Sequence, residues 1–106
     1  MAAALFALPA LAFAAEPPHT VDAGALSWGT SPTFAPFEFQ QDGKAVGFDV
    51  DMMAELARRV GLQSSMLGMD FVGLVPAVAA HRIDAAVSGM YITPARQEVS
   101  TSSRIY

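Results

Sequence analysis

The amino-acid sequence predicts an α/β fold, a mostly parallel sheet flanked by helices, and three observations carry that prediction. Short runs at 25–30, 63–67 and 83–87 read as strands. Two segments of helical periodicity, 49–60 and 71–80, lie between the strands, and strand–helix–strand order implies parallel strands joined by right-handed crossovers. The links that follow the strands are short and carry Ser, Thr, Pro and Phe, at the sheet end where open α/β folds present ligand-contacting groups.

Composition bounds the reading. With 106 residues and 53% hydrophobic content, the chain is one small globular domain or a piece of a larger one. Ten acidic against six basic residues, with no basic cluster, argue against a nucleic-acid or anionic-membrane surface, so any anion has to be met by a local site. The absence of Cys excludes a disulfide framework and a lipid-modified N-terminal Cys.

Residues 1–14, MAAALFALPALAFA, carry no charge and end in Ala12-Phe13-Ala14, a small-x-small pattern expected of a signal peptide cleaved near Ala14/Ala15. The basic segment that usually precedes such a run is missing. A soluble periplasmic address follows, with 15–25 expected as a flexible mature N-terminus.

In the first strand Leu26, Trp28 and Thr30 alternate with Ser27 and Gly29, and Ser31-Pro32-Thr33 breaks it. In the aromatic loop that follows, Phe37 is expected in the core and Phe34 in a cleft. Asp42-Gly43 signals a tight hairpin between 38–40 and 45–48, its charged residues expected to be solvated. The helix 49–60 should bury Val50, Met53, Ala54, Ala57 and Val60 and stop at Gly61, with Asp49 and Asp51 complementing its dipole. The second helix, capped by Asp70, should turn Leu74, Val75 and Val78 inward and tolerate Pro76 near its first turn. Phe71 opens that helix at a strand end equivalent to that of Phe34, so the two rings are expected to face each other across one cleft. His81 and His19 have no partner at ligand spacing, so no metal or cofactor is expected. Asp84 reads as a turn or cap residue.

The stretch Ser88-Gly89-Met90-Tyr91-Ile92-Thr93-Pro94-Ala95-Arg96 follows the third strand. Thr93 reads as an N-cap, Pro94 as the first helical residue, and Arg96 adds a permanently charged planar fork. Free amides at a helix start beside an Arg suit a carboxylate.

These motifs, GTSPTFAPFEF, DGKAVGFDVDMMAELARRVG and FVGLVPAVAAHRIDAAVSGMYITPAR, resemble in order and spacing the periplasmic solute-binding proteins of polar-amino-acid ABC transporters, family 3 of the bacterial extracellular binding proteins. The likeness runs from about Leu26 to Tyr106. It implies two α/β lobes closing on an amino acid, of which residues 26–106 would be an incomplete first lobe, an N-terminal fragment lacking the opposite wall. By the same likeness Phe34 and Phe71 would sandwich the ligand side chain and Arg96 would grip its α-carboxylate with help from the Tyr91 amide. Ser88 and Gly89 would offer acceptors near the α-ammonium, with Ser31 beside them.

A monomer delivering its ligand to an ABC permease, without catalysis, is the implied function. A periplasmic enzyme on the same fold, resembling cyclohexadienyl dehydratases, and a sensor domain are the alternatives. Some positions depart from the pattern. Tyr91 stands where a small Thr is usual, Val72 replaces a common Asp, and Ser100, Thr101, Ser103 and Arg104 alter the usual D-F-S-D-P run. Ser31 occupies a position that is Asp in binders of cationic amino acids, which points away from Lys, Arg or His as ligand.

Overall fold

The computed structural model describes residues 16–102. The stretch 1–14, expected to be a signal peptide, and the last positions, Ser103 and Arg104 among them, lie outside the described residues. Within the described residues the chain runs β1 (Ala25–Thr30), β2 (Thr33–Phe34), β3 (Glu38–Gln41), β4 (Lys44–Val46), α1 (Phe48–Arg59), β5 (Gln63–Gly68), α2 (Phe71–Ala79), β6 (Ala85–Ala86) and α3 (Pro94–Gln97).

The main sheet has the order β5-β1-β6, all parallel. Its register sets Ala25 opposite Gln63 and Trp28 opposite both Met66 and Ala85. As the central strand, β1 is covered on both faces. Ser27, Trp28, Gly29 and Thr30 are therefore all buried, instead of alternating as expected, and the Trp28 indole donates to Ser64 Oγ at 2.8 Å. A Cβ on Gly29 would lie 2.8 Å from Ile83 Cδ1 and 2.9 Å from Leu74 Cδ2, so this glycine lets α2 and the approach to β6 pack tightly on the strand. The strand expected at 83–87 pairs only at Ala85–Ala86; Val87 still donates to the Gly29 carbonyl at 2.9 Å.

Asp42 and Gly43, with φ of 51° and 76°, form the two-residue turn between β3 and β4 that the sequence signals. Asp42 and Lys44 are exposed, as expected of a solvated turn, whereas Glu38, at the start of β3, is wholly buried.

The loop before the hairpin also fixes the start of α1. Phe48 and Asp49 amides donate to the Pro36 and Phe37 carbonyls at 3.0 and 2.8 Å, satisfying helix-start donors that Gly47 has no side chain to cap. Gly47 has φ 128°, and a Cβ there would strike the Phe37 carbonyl oxygen.

Along α1 the buried positions are Asp49, Met53 and Ala57, one helical turn apart, with Val50 half-buried. Ala54 and Val60, expected inside, are exposed, because the helix rests on β5 by a narrower stripe than its apolar content suggests. Gly61 stops it as expected: with φ 76° it donates to Arg58 O while Leu62 donates to Ala57 O at 2.9 Å. On the solvent side Glu55 accepts from Arg58 and Arg59, and those bonds hold its carboxyl down to about 2.

α2 buries Leu74 and Ala77, with Val75 and Val78 half-buried. Asp70 stands at its N-cap position without a side-chain cap bond. Pro76 is the sixth of nine helical residues, past the first turn, and its side of the helix faces solvent, where water can meet the carbonyl left without an amide. The helix ends on the same backbone pattern as α1, but the left-handed residue is His81, φ 55°, with Arg82 donating to Ala77 O at 2.9 Å. Asp84 clasps the N-terminal arm to the sheet, its carboxylate accepting from the Val21 and Ser27 amides, each at 2.8 Å.

Candidate functional site

Every residue singled out from the sequence lies after the carboxyl end of a parallel strand: Ser31 and Phe34 after β1, Phe71 after β5, and Ser88, Gly89, Tyr91 and Arg96 after β6. Parallel pairing forces this, because strands running the same way release their following loops at one edge. Two cross-links hold the edge together: Met69 N–H donates to Thr30 O, and Val87 N–H to Gly29 O, each at 2.9 Å.

Two clusters form there. In the first, the Phe34 ring is half exposed and stacks on Phe37 with centroids 5.3 Å apart. A Cβ on Gly89 would come 2.9 Å from Phe34 Cε1; this residue, with φ 58°, keeps its backbone bare beneath the ring. Phe37, expected in the core, is 38% exposed, since the turn that brings Glu38 inward turns its neighbour out onto Phe34.

The second cluster belongs to Arg96. Thr93 caps α3, its hydroxyl accepting from the Arg96 amide at 3.2 Å, with Pro94 at the first helical position as expected. This cap aims the side chain back along the loop. There Arg96 Nη1 donates to the Tyr91 carbonyl at 2.8 Å and the guanidinium sits 5.6 Å from the Phe71 ring centroid. Phe71, Val72, Val75, Met90 and Arg96 line an open cavity of about 240 Å³. A guanidinium has five N–H donors, so one carbonyl bond leaves most of the fork for an incoming carboxylate. The Tyr91 side chain is 77% exposed and points away from the core.

Phe34 and Phe71 thus head separate clusters, and the stacking partner of Phe34 is Phe37. Next to Gly89 stands Ser88, whose hydroxyl is a junction. It accepts from the Ser31 amide at 3.0 Å and the Thr30 hydroxyl at 3.3 Å, and its own hydrogen reaches Glu38 Oε1 at 3.2 Å or the Ser31 carbonyl at 3.4 Å. A hydroxyl so engaged braces the wall more than it reaches outward. The Ser31 side chain is half-buried and meets the Thr33 hydroxyl at 3.5 Å.

Sequence reasoning missed Glu38 and Met90, and read Asp49 only as a dipole partner. Glu38 is fully buried, and desolvation first, then its hydrogen bond with and charge repulsion from Asp49, push its carboxyl up to about 8, while the Ser88 hydroxyl pulls the other way. No periodicity marks these acids, since Glu38 follows a turn and Asp49 occupies a helix start where exposed acids are common. Among the described residues no group of three or more acidic, His or Cys side chains could hold a metal ion. Nor does any described helix have the length and apolarity to cross a membrane.

Comparison with known proteins places this geometry. Residues 26–106 match the family model described as bacterial extracellular solute-binding proteins, family 3. The chain is 36% identical over 103 residues to the histidine-binding periplasmic protein of Escherichia coli K12, covering 95% of this chain and 37% of that protein. Among solved structures, holo ArgBP from T. maritima is 44% identical with a TM-score of 0.75, covering 78% of this chain and 37% of the other. A Phe-to-Trp mutant of the arginine-bound form of domain 1 from TmArgBP is 43% identical with a TM-score of 0.74, covering 78% and 65%. The chain spans about a third of the length of the curated relatives it matches.

Proposed function

Because the chain belongs to the family 3 bacterial extracellular solute-binding proteins, we propose that it supplies one wall of a periplasmic amino-acid-binding cleft, from which ligand passes to an ABC-type permease. The observation that carries this reading is Arg96, held by the Tyr91 carbonyl and the Phe71 ring at the mouth of an open cavity with donors to spare. Arg96 binds the ligand α-carboxylate with the Tyr91 amide beside it, the exposed rings of Phe34 and Phe71 take up its side chain, and the Ser88–Gly89 backbone faces its α-ammonium. Capture proceeds without chemistry: one lobe binds first, and an opposite lobe adds contacts only on closing.

The ligand class follows from two opposed considerations. Ser31, in place of the Asp found in cationic binders, favours an uncharged side chain. The ligands in the relatives' names, histidine and arginine, favour a cationic one. We take the second, because exposed aromatic faces attract guanidinium or imidazolium without any acid at position 31. The arginine-bound domain 1 supports capture by a single lobe.

Isotope-edited NMR titration of the chain with L-arginine, L-histidine, L-glutamine and agmatine tests the proposal. Arginine and histidine are expected to bind at roughly millimolar strength, about -4 kcal/mol, and agmatine, which lacks the carboxylate, much more weakly. Agmatine binding as well as arginine would remove the carboxylate grip. Saturation by glutamine alone would overturn the ligand class.

A further inference from the structure

Glu38 lies fully buried directly beneath the cleft, with no cation paired to it among the described residues. Its Oε1 meets the Ser88 hydroxyl at 3.2 Å, and that hydroxyl ties the end of β1, through the Ser31 amide and Thr30 hydroxyl, to the segment after β6. Its backbone pairs with Phe34 of β2. One residue therefore touches the aromatic loop and the Ser88–Gly89 wall and, through Ser88, reaches the end of β1.

The second carboxyl oxygen, Oε2, is buried and receives no N–H or hydroxyl hydrogen. The Glu38 carboxyl group has the Asp49 carboxyl, at the start of α1, as its hydrogen-bonding neighbour. Two carboxyl groups can hydrogen-bond each other only when one of them carries a proton. The raised carboxyl is that of Glu38, so the proton sits there. Burial together with Asp49 keeps that proton in place to about 8. The groups facing Glu38 are Asp49 from α1 and the Ser88 hydroxyl from the loop after β6, with the Phe34 backbone of β2 beside it.

We infer that Glu38 is a positioning residue for the ligand cleft: seated on Asp49, its carboxyl group sets, through Ser88 and Phe34, the spacing between the end of β1 and the Ser88–Gly89 wall. Its functional meaning rests on the amino-acid cleft proposed above. Loss of the proton puts a charge beside the Asp49 carboxyl, with no cation paired to Glu38 among the described residues. Repulsion from Asp49 then shifts the Glu38 carboxylate, the Ser88 hydroxyl, which bonds the ionised form more strongly, follows it, and the two walls no longer hold one spacing. Ligand affinity consequently falls in alkaline solution by way of the protein, in addition to any titration of the ligand itself.

The experiment follows amide shifts of Ser31 and Gly89 in the isotope-labelled chain from about pH 6 to about pH 9, without ligand, in the wild type and in Glu38→Gln, and then repeats L-arginine titrations across that range. Glutamine keeps the shape and a hydrogen-bond donor without an ionisable proton. In the wild type the two amides should move together with a midpoint near 8. In Glu38→Gln they should not, and the alkaline loss of arginine affinity should be at least about threefold smaller than in the wild type. Comparing the chains at equal pH cancels the titration of the arginine ammonium.

The same pH dependence in both chains overturns the inference, as do flat amides in a wild type that binds normally. Amides that titrate together while no amino acid binds at any pH leave the positioning role standing and sink the amino-acid reading instead. If Glu38→Gln does not fold, the wild-type amide midpoint decides by itself: a joint midpoint near 8 supports the role and its absence ends it.

Discussion

The Arg96 guanidinium stands 5.6 Å from the centroid of the Phe71 ring while one of its nitrogens is tied to the Tyr91 carbonyl. Two residues from different strand ends thus hold a cation in place, and in the proposed cleft that restraint would lower the ordering cost of binding.

Arg96→Ala should therefore weaken L-arginine binding by at least about 2 kcal/mol, roughly 30-fold, the scale for losing a charge-assisted bidentate contact. Arg96→Lys should fall between the two, keeping the charge without the fork. The NMR titration measures both, and an alanine variant binding like the wild type would take Arg96 out of the site.

His81 occupies the left-handed position that ends α2, where its Cβ is strained, φ 55°. His81→Gly should relieve that strain and, after the added freedom of glycine in the unfolded chain, stabilise the protein by about 0.5–1 kcal/mol. Thermal unfolding followed by circular dichroism should show a Tm several degrees higher, at about 4–8 °C per kcal/mol. A lower Tm would mean that the imidazole makes a contact worth more than the strain.

The Glu38 carboxyl holds its proton to about 8 when folded, against an ordinary value of 4.5. The native state then binds more protons than the unfolded state between those limits, so stability falls as pH rises. Its contribution is complete below 4.5 and lost as pH passes through about 8. Tm should decline from about pH 5 to about pH 8.5 in the wild type, and the slope should flatten in Glu38→Gln. A Tm equally pH-dependent in both chains would place the titration elsewhere.

What the sequence discloses and what it conceals divide along physical lines. The Asp42-Gly43 turn, the Gly61 stop and the Thr93-Pro94 start are legible because each rests on backbone chemistry within a few residues. β1, α1 and α2 are legible for a related reason, since periodicity is local. Burial on both faces of β1 and the exposure of Ala54 and Val60 depend on which elements become neighbours, which periodicity does not encode. The site divides in the same way. Arg96 and the aromatic residues announce themselves by type and place, whereas Glu38 resembles any hairpin carboxylate until the fold brings Asp49 and Ser88 to it.

The strand order β5-β1-β6 also bears on the timing of folding. The centre of the sheet is translated first and both of its neighbours later, so Ala25 must wait for Gln63, and Trp28 for Ala85. On a ribosome the nascent β1 emerges as a strand with nothing to pair with, and no part of the parallel sheet can close until α1 has been made and β5 follows it. Assembly is consequently late and joint: the strand that anchors the edge carrying the candidate site is the earliest made of the described strands and among the last to be secured on both sides.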